Sequence, residues 1–240
     1  MNQKNISLII PAFNEEKYIG DCLEYAIKNS QGKLLEIIVV DNASNDQTAQ
    51  IANKYTGVRV VREDKKGLTQ ARQCGFIEAK GDLLAYIDAD TRMPKSWIGI
   101  IEKNFDKNQN LACLSGPYIF YDISSVKKFL VKIYWTFLAL PSSYITGYMV
   151  VGGNFVIRKN ILEKMNGFDT NIKFYGEDTN IARRAKEFGT VKFSLKFFMP
   201  TSARRLAGQG FIYTAYIYVI NFLSEVFLHR PITSDYKDIR

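Results

Sequence analysis

The sequence predicts an α/β protein built on a doubly wound, mostly parallel sheet. Three observations carry that prediction. Strand-length apolar runs at residues 6–13, 35–40, 58–61 and 83–87 are separated by segments of helical pattern, and such alternation folds into a parallel sheet with helices on its faces. The runs are near-continuous rather than alternating, as strands buried on both faces are. The chain of 240 residues is 47% hydrophobic, which supports one sizeable core and argues against disorder.

Each element follows from its own punctuation. The first run carries Pro11 and stops at Asn14. Asn14 is placed to cap a helix over 15–29, with Glu15 and Glu16 in the first turn, where the helix dipole favours negative charge. The second strand ends at Asp41-Asn42, and Asp46 opens a helix to about residue 55. A third strand covers 58–61. Residues 67–79 read as helix closed by Gly81, and a fourth strand runs into Asp88-Ala89-Asp90. Ligands of doubly wound sheets collect at the carboxyl ends of strands, where Asp41 and Asp88 lie.

Beyond Pro94 the expected elements are a helix over 95–104, a strand around 111–120, and a helix from Ser124 or Ser125 to 140, stopped by Pro141. A strand over 149–158, broken by Gly152-Gly153, follows. A helix over 177–188, a strand near 191–198 and a long apolar helix over 211–228 complete the order. There is no internal repeat or low-complexity tract. The expected division is one domain over 1–205, with halves 1–105 and 106–205, and a helical segment over 206–240.

The net charge of +8 suits anionic partners such as nucleotides, phosphates or anionic lipid; a solvated basic surface accounts for it too. No nucleic-acid-binding module is recognisable. Cys22, Cys74 and Cys113 are dispersed without CxxC spacing, which reads as reduced thiols in a cytosolic compartment. The N-terminal run is short and halted by Pro11, so it reads as a strand and not a signal peptide. His229 is the only histidine, and no serine–histidine or cysteine–histidine pair stands out.

The chemistry concentrates in carboxylates. Asp88 and Asp90, two apart at a strand end, can face one ligand. Mg²⁺ or Mn²⁺ takes one or two carboxylates plus substrate phosphates, which assigns Asp90 to metal and Asp88 to the ribose or nucleotide; a strand-end turn is the plainer account. Asp41 can accept the ring N–H of uracil, thymine or guanine. Asp46 reads as a cap. Arg72, on the helix that follows Lys65-Lys66-Gly67, is placed to make forked contacts to a diphosphate. Gly152-Gly153-Asn154 marks either a plain bulge or close approach of a sugar to bare backbone, Gly153 included. Glu177-Asp178 offers a general base, Asp178, with Glu177 ordering the loop or acceptor; by itself the pair also complements a helix dipole. Arg204-Arg205, expected in a loop, could close over the diphosphate.

The order of these motifs is more specific than any one of them. Pro11-Ala12-Phe13-Asn14-Glu15-Glu16, Val40-Asp41-Asn42-Ala43-Ser44-Asn45-Asp46, Gly67 with Ala71-Arg72, Gly81-Asp82, Asp88-Ala89-Asp90, Gly152-Gly153-Asn154, Gly167-Phe168-Asp169 and Gly176-Glu177-Asp178 together resemble family 2 glycosyltransferases over residues 6 to about 205. The resemblance implies a GT-A fold and a nucleotide-sugar donor (UDP, dTDP or GDP). It also implies inversion by single displacement, usually with Mg²⁺ or Mn²⁺. By position, Pro11, Phe13 and Glu15 join Asp41 in the nucleotide pocket, Asp88 and Asp90 match the DxD, and Asp178 matches the base of the ED pair. Gln73 stands where the family often has Asn. The QxxRW motif of processive synthases is missing, which implies one sugar added per encounter.

Residues 126–140 place Lys127, Lys128 and Lys132 near one face and Phe129, Leu130, Ile133, Phe137 and Leu138 over much of the rest, with Tyr134 and Trp135 added. That is the pattern of a basic amphipathic, interfacial helix. The helix over 211–228 has a polar stripe and Glu225, and so also reads as interfacial; burial in a core or dimer contact is the other account of both. The membrane account implies a glycan or lipid-linked acceptor of cell-surface polysaccharide assembly, at the inner face of the cell membrane. A sugar nucleotidyltransferase would need a Gly-rich basic loop after the first strand, where Pro11-Ala12-Phe13-Asn14 stands. A non-catalytic sugar-nucleotide-binding scaffold would not need both Asp90 and Asp178.

Overall fold

The computed structural model describes residues 5–172 and 176–210, and positions 216, 217, 220, 221 and 224 beyond them. The expected helix over 211–228 and the aromatic pair Phe174-Tyr175 therefore lie largely outside the described residues.

The first half follows the predicted alternation: β1 (Ile6–Ala12), α1 (Ile19–Ser30), β2 (Glu36–Asp41), α2 (Thr48–Ala52), β3 (Val58–Arg62), α3 (Leu68–Glu78), β4 (Leu83–Ile87) and α4 (Trp97–Lys107). The second half comprises β5 (Leu111–Ser115), β6 (Tyr118–Phe120), α5 (Ser125–Ile133), a π-helical segment (Tyr134–Ala139), α6 (Leu140–Thr146), β7 (Asn154–Arg158), α7 (Lys159–Lys164), α8 (Glu177–Lys186), β8 (Thr190–Phe193), β9 (Met199–Thr201) and α9 (Arg204–Gln209).

Seven strands form one sheet in the order β3-β2-β1-β4-β7-β5-β8. β1 pairs parallel to both β2 and β4, so the strand order reverses there and a crevice opens at the carboxyl ends. β7 is antiparallel to β4 and β5, which makes the sheet mixed. Successive residues of β1 feed opposite faces. Leu8 and Ile10 join α1, α2 and α4 in one core, whereas Ile9 joins α3, α7 and α8 in the other.

Several boundaries depart from expectation. The strand expected over 111–120 is two, because Gly116-Pro117 intervenes and proline cannot donate to a ladder. β6 instead pairs with β9 in a separate two-stranded sheet. Pro141 does not stop its helix. The turn before it widens to π geometry, which accommodates the missing N–H and the ring, and the helix continues to Thr146. Asn14 does not cap α1, which begins at Ile19. It sits at φ 53° and its Oδ1 accepts from Asn45 N–H, tying the loop after β1 to the loop after β2. Asp46 lies two residues ahead of α2 and accepts from the Thr48 and Glu16 amides, so it clamps the same two loops. Arg204 begins the short helix α9 and is not in a loop.

Candidate active site

The crevice is built from loops that leave β1, β2 and β4. Asp41 is the last residue of β2, buried beside Ala12 of β1. Its Oδ2 accepts from Arg62 Nη1 at 3.0 Å and its Oδ1 from the Ser44 amide at 3.3 Å. Pro11 sits in β1 against Val40. Phe13 follows the strand, with Lys66 Nζ 3.9 Å above its ring. Asn42 was not singled out by sequence, yet it organises the loop opposite: its Nδ2 donates to the carbonyls of Glu63 and Lys65, and its Oδ1 accepts from Gly67 N–H. That amide is therefore engaged by Asn42.

Asp88 and Asp90 lie in the turn just beyond β4. Tyr118 Oη donates to Asp88 Oδ2 at 2.6 Å; burial, and then Asp88, push that hydroxyl's pKa well up. Asp90 Oδ2 accepts from Arg204 Nε at 3.0 Å, and Asp90 Oδ1 accepts from Thr201 Oγ1 at 3.1 Å. Arg204 also donates through Nη2 to Glu15 Oε1 at 2.6 Å and lies over the Tyr18 ring. Burial pushes the Asp90 carboxyl up to about 7; Arg204 opposes this, while Asp88 and Glu15 add to it.

The second cluster opens α8. Glu177 Oε1 meets Arg72 Nη1 at 3.2 Å. Arg72 is only 1% exposed and lies near the Phe155 ring. This differs from the diphosphate-facing position expected for it: α3 turns Arg72 inward, toward the acidic pair. Burial raises the Glu177 carboxyl to about 8, Asp178 pushes the same way, and Arg72 opposes both. Burial also raises Asp178, whose Oδ1 accepts the Thr179 amide at 2.8 Å.

Gly152 and Gly153 join the clusters. They form the turn between Val151 and Asn154 that starts β7. A Cβ on Gly152 would lie 2.6 Å from Arg72 Nη2 and 2.9 Å from Glu177 Oε1; one on Gly153 would overlap Tyr118 Oη and the Asp88 carboxylate. The Cβ direction at both glycines is thus filled by the protein's own side chains. Since adjacent Cα atoms are ~3.8 Å apart, the two acidic clusters flank one turn. Gly153→Ala is expected to lower stability by roughly 1–3 kcal/mol through overpacking against Tyr118 and Asp88, as read by chemical denaturation. Asn154 itself is structural, bonding Trp97 and the carbonyls of Gly116 and Phe197.

The sequence profile of glycosyl transferase family 2 matches residues 7–165. The chain belongs to that family. A probable glycosyltransferase of Bacillus subtilis, YdaM, is 29% identical over 210 residues, which is 80% of this chain and 48% of the relative. A dolichol-phosphate mannosyltransferase of Pyrococcus furiosus is 38% identical over 94 residues, covering 37% of this chain and 26% of that protein. The chain thus spans about half or less of the length of these curated relatives. Among solved structures, the Pyrobaculum calidifontis mannosyltransferase PcManGT, in complex with GDP-Man and Mn²⁺, superposes with a TM-score of 0.71 at 18% identity. It covers 94% of this chain and 64% of its own. Staphylococcus aureus TarS with UDP-GlcNAc gives 0.62 at 19% identity over 81% of this chain and 57% of its own. These likenesses identify the fold as GT-A.

Against that family, the departure at Gln73 has a local explanation: its Oε1 accepts from the Phe168 amide, tying α3 to the Gly167-Phe168-Asp169 loop. Tyr118 lies outside every motif, so only its contact with Asp88 reveals its place in the site. The residues at Asp90 fit a hard divalent cation. Asp88, Asp90 and Glu15 are oxygen donors whose mutual repulsion an added positive charge would relieve. Among the described residues, as the side chains stand, no group of three or more His, Cys, Asp or Glu is placed to hold a metal ion.

Proposed function

We propose that this chain is the catalytic domain of an inverting, metal-dependent glycosyltransferase. It moves one sugar from a UDP, dTDP or GDP donor to a hydroxyl of a lipid-linked glycan, at the cytoplasmic face of the cell membrane, in cell-surface polysaccharide assembly. The observation that carries this reading is the Gly152-Gly153 turn, which the Asp88 side and the Glu177 side both touch. A donor's diphosphate and an acceptor's hydroxyl need such neighbouring acidic centres.

In this reading Asp41 accepts the base's ring N–H beside Phe13, and Asp88, held by Tyr118, takes the ribose. Asp90 would hold Mg²⁺ or Mn²⁺, which when bound neutralises charge growing on the departing diphosphate. Arg204, poised between Asp90 and Glu15, adds a second positive charge on that side. Asp178 takes the proton of the acceptor hydroxyl while the acceptor oxygen forms the bond to the anomeric carbon, opposite the breaking carbon–diphosphate oxygen bond. Its raised proton affinity suits a general base. PcManGT with GDP-Man and Mn²⁺ supports the cation and the donor class.

The test is a thermal-shift series with UDP, dTDP and GDP in the presence of Mn²⁺. One nucleotide should raise the melting midpoint by mass action, and Asp90→Ala should abolish both that Mn²⁺-dependent shift and donor hydrolysis. Equal shifts with and without Mn²⁺, or hydrolysis surviving in Asp90→Ala, would remove the metal role.

A further inference from the structure

We propose that the outward face of the helix running from α5 through the π-helical segment into α6 seats in the interfacial layer of an anionic lipid bilayer. The helix spends little of its apolar surface on the protein. Val131 and Ala139 are its buried residues, and Trp135 and Leu140 pack partly against Met149, Val151 and Phe193. The bulky side chains point the other way. Val126 is 71% exposed, Phe137 70% and Ile145 86%, with Phe129, Leu130 and Leu138 also exposed. Soluble surfaces rarely leave so many large apolar groups contiguous unless something covers them.

Charge selects the cover. No aspartate or glutamate occurs between Asp122 and Glu163, whereas Lys127, Lys128 and Lys132 lie among the exposed apolar residues. Lysine stems can lie along acyl chains while their ammonium groups reach lipid phosphates. Among the described residues no helix is long and apolar enough to cross a membrane, so the contact is with the bilayer surface. A cavity of about 440 Å³ at the start of α5 is lined by Asp122, Ser124, Lys127, Arg204 and Leu206, and Arg204 donates to Asp90.

The experiment is co-sedimentation with phosphatidylcholine vesicles and with vesicles containing phosphatidylglycerol, without donor or acceptor, so its outcome is separable from the fate of the transferase reading. Wild-type protein is expected to bind the anionic vesicles and to release with salt. Lys127→Gln/Lys132→Gln should weaken that binding by roughly fivefold per lysine. Phe129→Ser/Phe137→Ser should weaken it by about tenfold or more, with unchanged circular dichroism and melting midpoint because both rings are exposed. Three outcomes would overturn the proposal. One is wild-type protein left in the supernatant with anionic vesicles. Another is undiminished binding by both double variants. The third is a concentration-dependent dimer in sedimentation velocity that Phe129→Ser/Phe137→Ser dissolves, which would assign the face to a second copy of the chain.

Discussion

Asp178→Asn is expected to lower the turnover number of glycosyl transfer by roughly 10²–10⁴-fold, the range for loss of a positioned general base, while leaving the donor dissociation constant within about threefold. The separation follows from the geometry. Asp178 follows Glu177 in the first turn of α8, and Glu177 meets Gly152 while Asp88 meets Gly153. Asparagine keeps the shape and can still accept the Thr179 amide that Asp178 Oδ1 accepts, but it cannot take a proton. Donor affinity is read by titration calorimetry and turnover by nucleoside diphosphate release with acceptor present. Near-wild-type turnover would remove Asp178 from the role of base.

The second large effect is expected at Arg72. Removing one partner of a buried ion pair typically costs about 3–5 kcal/mol, because the other charge is left unpaired in a poor solvent. Arg72 and Glu177 are such a pair, with side-chain exposures of 2% and 11%. Glu177 is held largely protonated below about pH 8, so Arg72→Met should lose stability on that scale only above that pH, and Arg72→Met/Glu177→Gln should recover much of it there. The pH dependence has a definite sign. Burial already lifts Glu177 from 4.5 to about 8 in the folded state, so the folded protein binds this proton more tightly than the unfolded chain does. The stability gained from that proton is present in full below about pH 4.5 and is lost as pH rises toward 8. Without Arg72 the lift is larger, so the variant's deficit should grow toward alkaline pH and shrink near pH 5. Urea denaturation at several pH values measures this. A deficit independent of pH would point to lost packing alone. Because Arg72 also opposes the lift on Asp178, a variant retaining turnover should show its pH optimum displaced to alkaline values, a shift that a purely packing role would not produce.

Much of the first half was legible in the sequence, since its signals are local. Continuous apolar runs at strand length mark the parallel strands on both sides of β1, and β4 coincides with the run that ends at Asp88. The second half was less legible because its determinants are not local. β7 inserts antiparallel between β4 and β5, and strand direction leaves no mark on an apolar run. Pro141 reads as a stop, but a widened turn absorbs it. Asn14 and Asp46 read as caps because their side chains can bond a helix end. The Asn45 amide of a distant loop takes the Asn14 oxygen instead, and Asp46 divides its two oxygens between the start of α2 and the Glu16 amide.

The sequence alone determined the identities and order of the acidic groups, the α/β alternation that carries them to strand ends, and the basic amphipathic character of residues 126–140, all properties set by neighbours within a few positions. Only the tertiary structure decided what each charge faces. It turned Arg72 inward to Glu177, set Arg204 between Asp90 and Glu15, brought Tyr118 to Asp88, and left Phe129 and Phe137 on the outside. The reason is physical: a side chain's partner in a fold is fixed by which strands and helices pack together, and long-range packing has no period that a linear reading can detect.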